Sequence, residues 1–250
     1  MIKLRRSMDN KIIFSPSALS PDSKTYKTPP VKAVSVLPDW YKDLAGFRGG
    51  SSHSKRYLYP INDRGQDGSD VSTKLCNPFM DAMVSGYIQE LSEDVHVTVD
   101  KNEKPTLTWE SSDPIIDTRP IVDVPIPKEC YPIHFGWKMY WYYETPPEYS
   151  VLITHPFNRF DLPFYTPSGI VDSDIWGLPV FFSFFLKRGF EGTIKAGTPL
   201  FQIIPIKRES WKLEIDYSEE TYWKNKIKEE KRRSHVTGHY KKTTWQRKKY

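Results

Sequence analysis

The chain has 250 residues, 38% hydrophobic and 14% aromatic, with a formal net charge of +5 and an isoelectric point near 8.9. Its 2 cysteines, Cys76 and Cys130, exclude a disulfide framework and lack metal-ligand spacing. No apolar run reaches the ~18 residues of a membrane span, and "MIKLRRSMDNKIIF" has neither the apolar segment nor the cleavage site of a signal peptide.

Those exclusions predict a protein of a reducing compartment: the cytoplasm of a host, or a virion assembled from it. Proline is frequent, at 21 residues, and no long stretch has helical apolar periodicity. A mainly β, loop-rich fold is therefore expected. Positive charge gathers at the two ends, in "MIKLRR" and in "KNKIKEEKRRSHVTGHYKKTTWQRKKY". Basic ends on a neutral body act as arms toward nucleic acid or an acidic partner, or remain solvated tails.

Three regions are expected. Residues 1–75 read as an N-terminal arm and loops, 76–209 as a β core, and 210–250 as a basic helix and tail. "SPSALSPDSKTYKTPP" mixes charge with Ser and Pro, as an extended arm does. "VLPDWYKDLAGF", 36–47, can start a short helix after its proline. The stretch 48–72 is a Gly/Ser-rich loop whose "RGGSSHSK" lacks the spacing of a phosphate loop. "CNPFMDAMVSGYIQEL", 76–91, predicts one or two helical turns from Asn77 and then a strand. "DVHVTVD", 94–100, alternates with period two and reads as a half-buried strand, with "PTLTWE", 105–110, as its hairpin partner.

"HFGWKMYWYYETPPEYSVLITHPFN" predicts two strands joined by the turn "TPPE" at 145–148. Its aromatics suit a core strand, a subunit interface or a base-stacking platform. The short β runs "GIVDSD", "LPVFFSFFLK", "FEGTIKAG" and "TPLFQIIPIKR" follow, spaced as in a sandwich or barrel. Phe181, Phe182, Phe184 and Phe185 put apolar side chains on both faces of one strand. That predicts cover by a second sheet or another subunit. From about 210 the sequence turns charged. Ser218, followed by glutamates and then Lys/Arg, predicts an exposed helix.

Several pieces, in order, resemble the dUTPase and dCTP deaminase superfamily. "PPEY" at 146–149 resembles its "PPGY" turn. "GIVDSD" at 169–174 with Gly177 resembles its "G-I/V-I/V-D-x-D-Y-x-G" hairpin, and "KAGTPLFQII" at 195–204 its "K-x-G-x-x-I/A-Q-I/L" segment. "SGYIQELSEDVHV" at 85–97 is similar to its "A-G-Y-D-L" strand. The resemblance spans 85–208 and is closest to uncharacterised phage and bacterial proteins of this type. It implies a β-clip core, a distorted barrel or sandwich, and commonly a trimer.

The resemblance also implies roles. Asp172 takes the place of the acid that orients the attacking water, with Asp174 beside it. His155, Asn158 and Arg159 lie where a ligand sits, so these five residues are the candidate ligand-binding set, with Asp172 the candidate catalytic residue. The chain departs from the pattern elsewhere. Ile175 stands for the expected tyrosine, "HPFN" at 155–158 for the phosphate-binding "RS" segment, and Ile88 for the acid of "AGYDL". Lys-rich sequence replaces the arginine-bearing lid. Without these groups no cofactor is expected, and Mg²⁺ enters only if the chain is an enzyme. An Asp-x-Asp between glycines is also what a tight turn between strands selects, and this is the favoured reading of Asp172 and Asp174.

Lys241, Lys242, Trp245, Arg247, Lys248 and Lys249 form a basic, aromatic-interleaved tail and are the candidates for contact with nucleic acid or a partner. His235 and His239 are four apart, but no third metal ligand is near. The expected function is a non-catalytic structural or interaction protein of phage type. It would be a homo-oligomer, possible as a trimer, meeting protein partners or nucleic acid through its basic ends and no membrane. The alternatives are a diverged nucleotide hydrolase or deaminase using Asp172, and a nucleic-acid-binding regulator.

Overall fold

The computed structural model describes residues 11–17, 20–45, 73–119, 124–176, 181–234 and 244–248. Among them the protein is mainly β, as its composition requires. In chain order the elements are β1 (Ile13–Pro16), β2 (Val31–Lys32), α1 (Asp39–Lys42), α2 (Asn77–Val84), β3 (Tyr87–Glu90), β4 (Val95–Val99), β5 (Pro105–Thr108), β6 (Ile116–Arg119) and β7 (His134–Lys138). Then follow β8 (Trp141–Glu144), β9 (Tyr149–Thr154), β10 (Phe164–Tyr165), β11 (Gly169–Val171), β12 (Phe181–Leu186), β13 (Gly192–Ile194), β14 (Pro199–Lys207) and α3 (Glu219–Ser234). The chain divides into two compact units, Met1–Val36 with Met83–Arg208, and Leu37–Ala82 with Glu209–Tyr250.

Among the described residues the first unit holds every strand. They form sheets of order β1-β8, β10-β12-β7-β6, β11-β9-β14-β3-β2 and β13-β4-β5, with antiparallel pairing throughout. The alternation of "DVHVTVD" becomes β4, which buries Val95 and Val97 and exposes His96 and Thr98. β5 pairs with it as the expected hairpin partner. The long strand β14 is hydrogen-bonded on both sides, to β9 and β3, so its "PLFQI" run is buried. Inward side chains from all four sheets, among them Val95, Trp137, Tyr143, Ile153, Phe184 and Ile203, join in one core cluster.

β12 carries buried side chains on both faces inside this one chain. Phe184 faces the core, stacked on Trp137, and Phe185 packs on His134 on the other side. Within the chain that second face is covered at Phe185 and only half-covered at Phe181 and Ser183.

Two expectations are corrected. Residues 11–36 are not an arm apart from the core. β1 pairs with β8, β2 extends the five-stranded sheet, and the Trp141 indole donates to the Thr25 carbonyl at 3.1 Å. The linker-like composition hides this because short edge strands tolerate proline and need few apolar residues. The turn at 145–148 joins two strands as expected, but the stretch before it holds two strands where one was expected. The aromatic run makes two strands, β7 and β8, and the turn carries the chain from β8, paired with β1, to β9, paired with β14 and β11.

In the second unit, α1 starts after Pro38 as expected. Its Tyr41 is buried, stacks on Phe79 of α2 at 6.2 Å, and accepts a bond from Lys74 Nζ at its carbonyl, at 2.7 Å. α3 forms where the charged sequence begins. The Ser218 hydroxyl accepts the Thr221 N–H at 3.3 Å, while Asp216 accepts the Ser218 N–H and the Thr221 hydroxyl at 2.8 and 2.6 Å. Ser218 thus satisfies one open N–H of the first turn and Asp216 holds the cap residue itself, and Glu219 and Glu220 there favour the helix dipole.

Candidate functional site

β11 ends at Val171, and the chain then turns tightly. The Asp172 carbonyl accepts the N–H groups of Ile175 and Trp176 at 3.0 and 2.8 Å. The acids of "GIVDSD" therefore sit on a turn, as Asp in this setting favours. Their carboxylates have specific partners. Asp174, whose side chain is only 8% exposed, forms a two-pronged pair with Arg208, at 2.8 and 2.5 Å, and accepts the Glu148 N–H at 2.9 Å. Asp172 is 59% exposed, accepts the Ser150 hydroxyl at 2.7 Å and lies 3.3 Å from the same guanidinium.

Arg208 is the hub of this arrangement. It stands one residue past β14, and its N–H donates to the Glu148 carbonyl at 2.8 Å. Its side chain also donates to the Tyr149 carbonyl and the Ser150 hydroxyl. Below it, the hydroxyls of Thr145 and Ser173, both buried, share a hydrogen bond of 2.6 Å. The result is a polar latch that fastens the 145–148 turn, the turn after β11 and the end of β14 to one another. Planar two-pronged Arg–carboxylate pairing makes this geometrically specific.

Within the latch, Asp174 is poorly suited to take up a proton. A general base works best with its pKa near the operating pH. The Arg208 hydrogen bonds instead hold Asp174 below its ordinary value of 3.8. Among the described residues no group of three His, Cys, Asp or Glu is placed to hold a metal ion.

The other proposed ligand residues lie elsewhere. Asp172 stands beside Ser150 at the start of β9, and His155 follows its far end. At ~3.3 Å per residue that separates them by roughly 16 Å. His155 is held within its loop. Its Nε2 is 3.0 Å from the Arg159 carbonyl, and Nδ1 accepts the Thr166 N–H at 3.4 Å. Burial lowers its pKa, so the ring is neutral at pH 7. Arg159 forms its own two-pronged pair with Asp161, at 2.8 to 3.2 Å. Asn158 takes a left-handed turn with φ 62°. The five candidate residues thus form two separate structural clusters.

In the tail, the Trp245 indole donates to Asp81 of α2 at 2.9 Å, and Lys248 reaches the same carboxylate at 3.1 Å. Arg247 is exposed. Lys241, Lys242 and Lys249 lie outside the described residues.

Sequence reasoning missed Arg208, Ser150 and Glu148. The signal for Arg208 is slight, a single cation closing the "FQIIPIKR" run. It missed Glu93 as well. This carboxylate is 3% exposed and bonded to Ser111 and to Lys24, the latter at 3.3 Å. Burial pushes its pKa up, but the Ser111 and Lys24 contacts outweigh that and leave it below 4.5.

These two acids give the stability curve a sign. A carboxylate whose pKa is depressed on folding adds stability above its unfolded value, and the gain is lost as pH falls through the folded value. The melting temperature is expected to hold from pH 7 to about pH 5 and to fall below about pH 4. Asp174→Asn should flatten the part of that fall due to the latch, as calorimetry at stepped pH would show.

Comparisons of the chain with models of known protein families, with characterised proteins and with solved structures yield no match in any of the three.

Proposed function

We propose that the chain is a non-catalytic structural or interaction protein of phage type, built on a dUTPase-like β scaffold. In this reading it works as a homo-oligomer in the host cytoplasm or in a virion and meets partner proteins or nucleic acid through its basic ends. The observation that carries the reading is the latch. The acids of "GIVDSD" are occupied by Arg208, Ser150 and the Glu148 N–H, and the His155 loop is separately satisfied. Function must be argued from a site, and the site that the family resemblance would need is here a fastening between turns. Among the described residues no helix is long and apolar enough to cross a membrane.

A second reading keeps Asp172 as the floor of a diverged nucleotide pocket. Its support is the 59% exposure of that side chain, which leaves an oxygen open to solvent. Thermal unfolding with nucleoside mono-, di- and triphosphates, with and without Mg²⁺, separates the two. A ligand at 100 times its dissociation constant adds roughly 2.7 kcal/mol. The scaffold reading predicts no shift from any nucleotide. A shift with one pyrimidine nucleotide, lost in Asp172→Asn, would replace it with the enzyme reading.

A further inference from the structure

The first unit contains a cavity of about 30 Å³ at the end of β3. The buried Trp137 and the half-buried Tyr140 and Trp141 line it, together with Gln89, Glu90 and Lys138. No residue of the latch takes part. The pairing of β14 with β3 slips at this point. Pro199 stands opposite Glu90 and Phe201 opposite Gln89, so Leu200 is an extra residue in the ladder, and Leu200 and Phe201 both line the cavity. Bulges bend a strand and re-aim its side chains, and they are frequent next to active sites.

Glu90 is the charge that this wall leaves unanswered. It is half-buried, and among the described residues no donor reaches its carboxylate. The groups around it are engaged elsewhere. Lys138 is 3.4 Å from Asp117. Lys24, next to the lining residue Thr25, pairs with Glu93 and Glu110 at 3.3 and 3.6 Å. The Gln89 amide donates to the backbone carbonyls of Thr28 and Glu90 at 3.1 and 3.0 Å, so Gln89 has only its own carbonyl oxygen left to offer. Burial pushes the Glu90 pKa up, as it does for a carboxylate taken out of water with no cation to compensate it.

The aromatic side chains have their polar tips tied down. The Tyr140 hydroxyl donates to the Pro114 carbonyl at 2.7 Å, and the Trp141 indole N–H is used on Thr25. What they offer a ligand is ring surface, which attracts a cation within ~6 Å. Size sets a limit as well. One water takes roughly 10–15 Å³ of such space, so the cavity admits a group of about two heavy atoms. An ammonium with its first methylene meets that limit. A guanidinium or a quaternary ammonium exceeds it.

We propose that this cavity binds a primary alkylammonium group, with the ammonium on the Glu90 carboxylate, the first methylene against Tyr140 and Trp141, and the rest of the ligand outside. Charge-assisted N–H bonds to the carboxylate supply the attachment. The same head group is carried by a free alkylamine and by the lysine side chain of a partner peptide, and the site is independent of the latch and of any oligomer.

The test titrates the full-length chain by calorimetry at pH 7 and fixed ionic strength with n-butylammonium, tetramethylammonium and Nα-acetyl-lysine N-methylamide. The primary amines are fully charged there. Butylammonium should bind and tetramethylammonium should not. Glu90→Gln should weaken butylammonium binding at least about tenfold, the scale of a hydrogen bond to a charged group. Without amine, Glu90→Gln should melt no lower than the parent, because the charge removed had no partner, and the same melting curve shows the variant folded. A lysine derivative that binds at least as tightly as butylammonium assigns the cavity to a peptide lysine, and a weaker one assigns it to a free amine. The proposal is overturned by equal binding of tetramethylammonium, by no saturable binding of butylammonium, by butylammonium binding that Glu90→Gln leaves unchanged, or by a Glu90→Gln protein that melts well below the parent.

Discussion

Phe184→Ala is expected to lower the unfolding free energy by about 3–5 kcal/mol, the range for removing a fully buried phenylalanine. Phe184 has no exposed surface and lies at the crossing of three ring contacts. It stacks on Trp137 at 3.8 Å and 10°, on Phe135 at 5.4 Å, and meets Phe164 edge-on at 5.8 Å. Those rings stand on β7 and β10, which flank β12 in one sheet. The space left by Phe184 therefore cannot close without moving strands, and the cavity cost adds to the lost burial. Ile175→Ala, at a side chain 79% exposed, should change stability by no more than about 0.5 kcal/mol in the monomer. Urea unfolding of both would check this. A loss below about 1 kcal/mol for Phe184→Ala would mean the ring cluster is not the packed centre of the fold.

Gly86→Ala is expected to be at least as damaging, for a different reason. Gly86 links α2 to β3 with φ +66°, and a Cβ there would stand 2.2 Å from the Ile203 carbonyl oxygen. Ile203 is fully buried in β14, which is bonded on both sides, so the backbone it would strike cannot give way. The left-handed conformation alone costs a non-glycine residue about 1–2 kcal/mol, and the clash adds to it. Gly189→Ala supplies the control. Its φ is +77° but nothing lies within 4 Å of the added Cβ, so it should show the conformational cost by itself. The expected result is a soluble Gly189→Ala protein and a Gly86→Ala protein that unfolds far earlier or is recovered unfolded.

What the sequence revealed follows from the range of the forces involved. The hairpin β4–β5 was legible because alternation of Val with His and Thr is a local pattern with a local cause. α3 was legible from Ser218 and its charges, although Thr221 rather than a glutamate completes its cap. The turn carrying Asp172 and Asp174 was legible from residue type. Its partner was not, because Arg208 lies 34 residues beyond Asp174 and nothing local marks a cation that will be brought back by strand pairing. The N-terminal segment was misread for the same reason. Thr25 is held by Asp113, 88 residues away, and composition cannot show such a contact. The grouping of His155 and Arg159 with Asp172 failed on register, since β9 sets them at opposite ends.

The most direct test of the latch is to compare Asp174→Asn with Asp172→Asn for stability and for nucleotide turnover. Both changes keep side-chain shape and remove a charge. If the acids fasten turns, Asp174→Asn lowers the melting temperature by several degrees, because it weakens a shielded two-pronged pair. Asp172→Asn then changes it little, and neither the parent nor the variants turn over a nucleotide. The account is contradicted if the parent hydrolyses or deaminates a nucleotide, Asp172→Asn abolishes that activity, and Asp174→Asn melts with the parent.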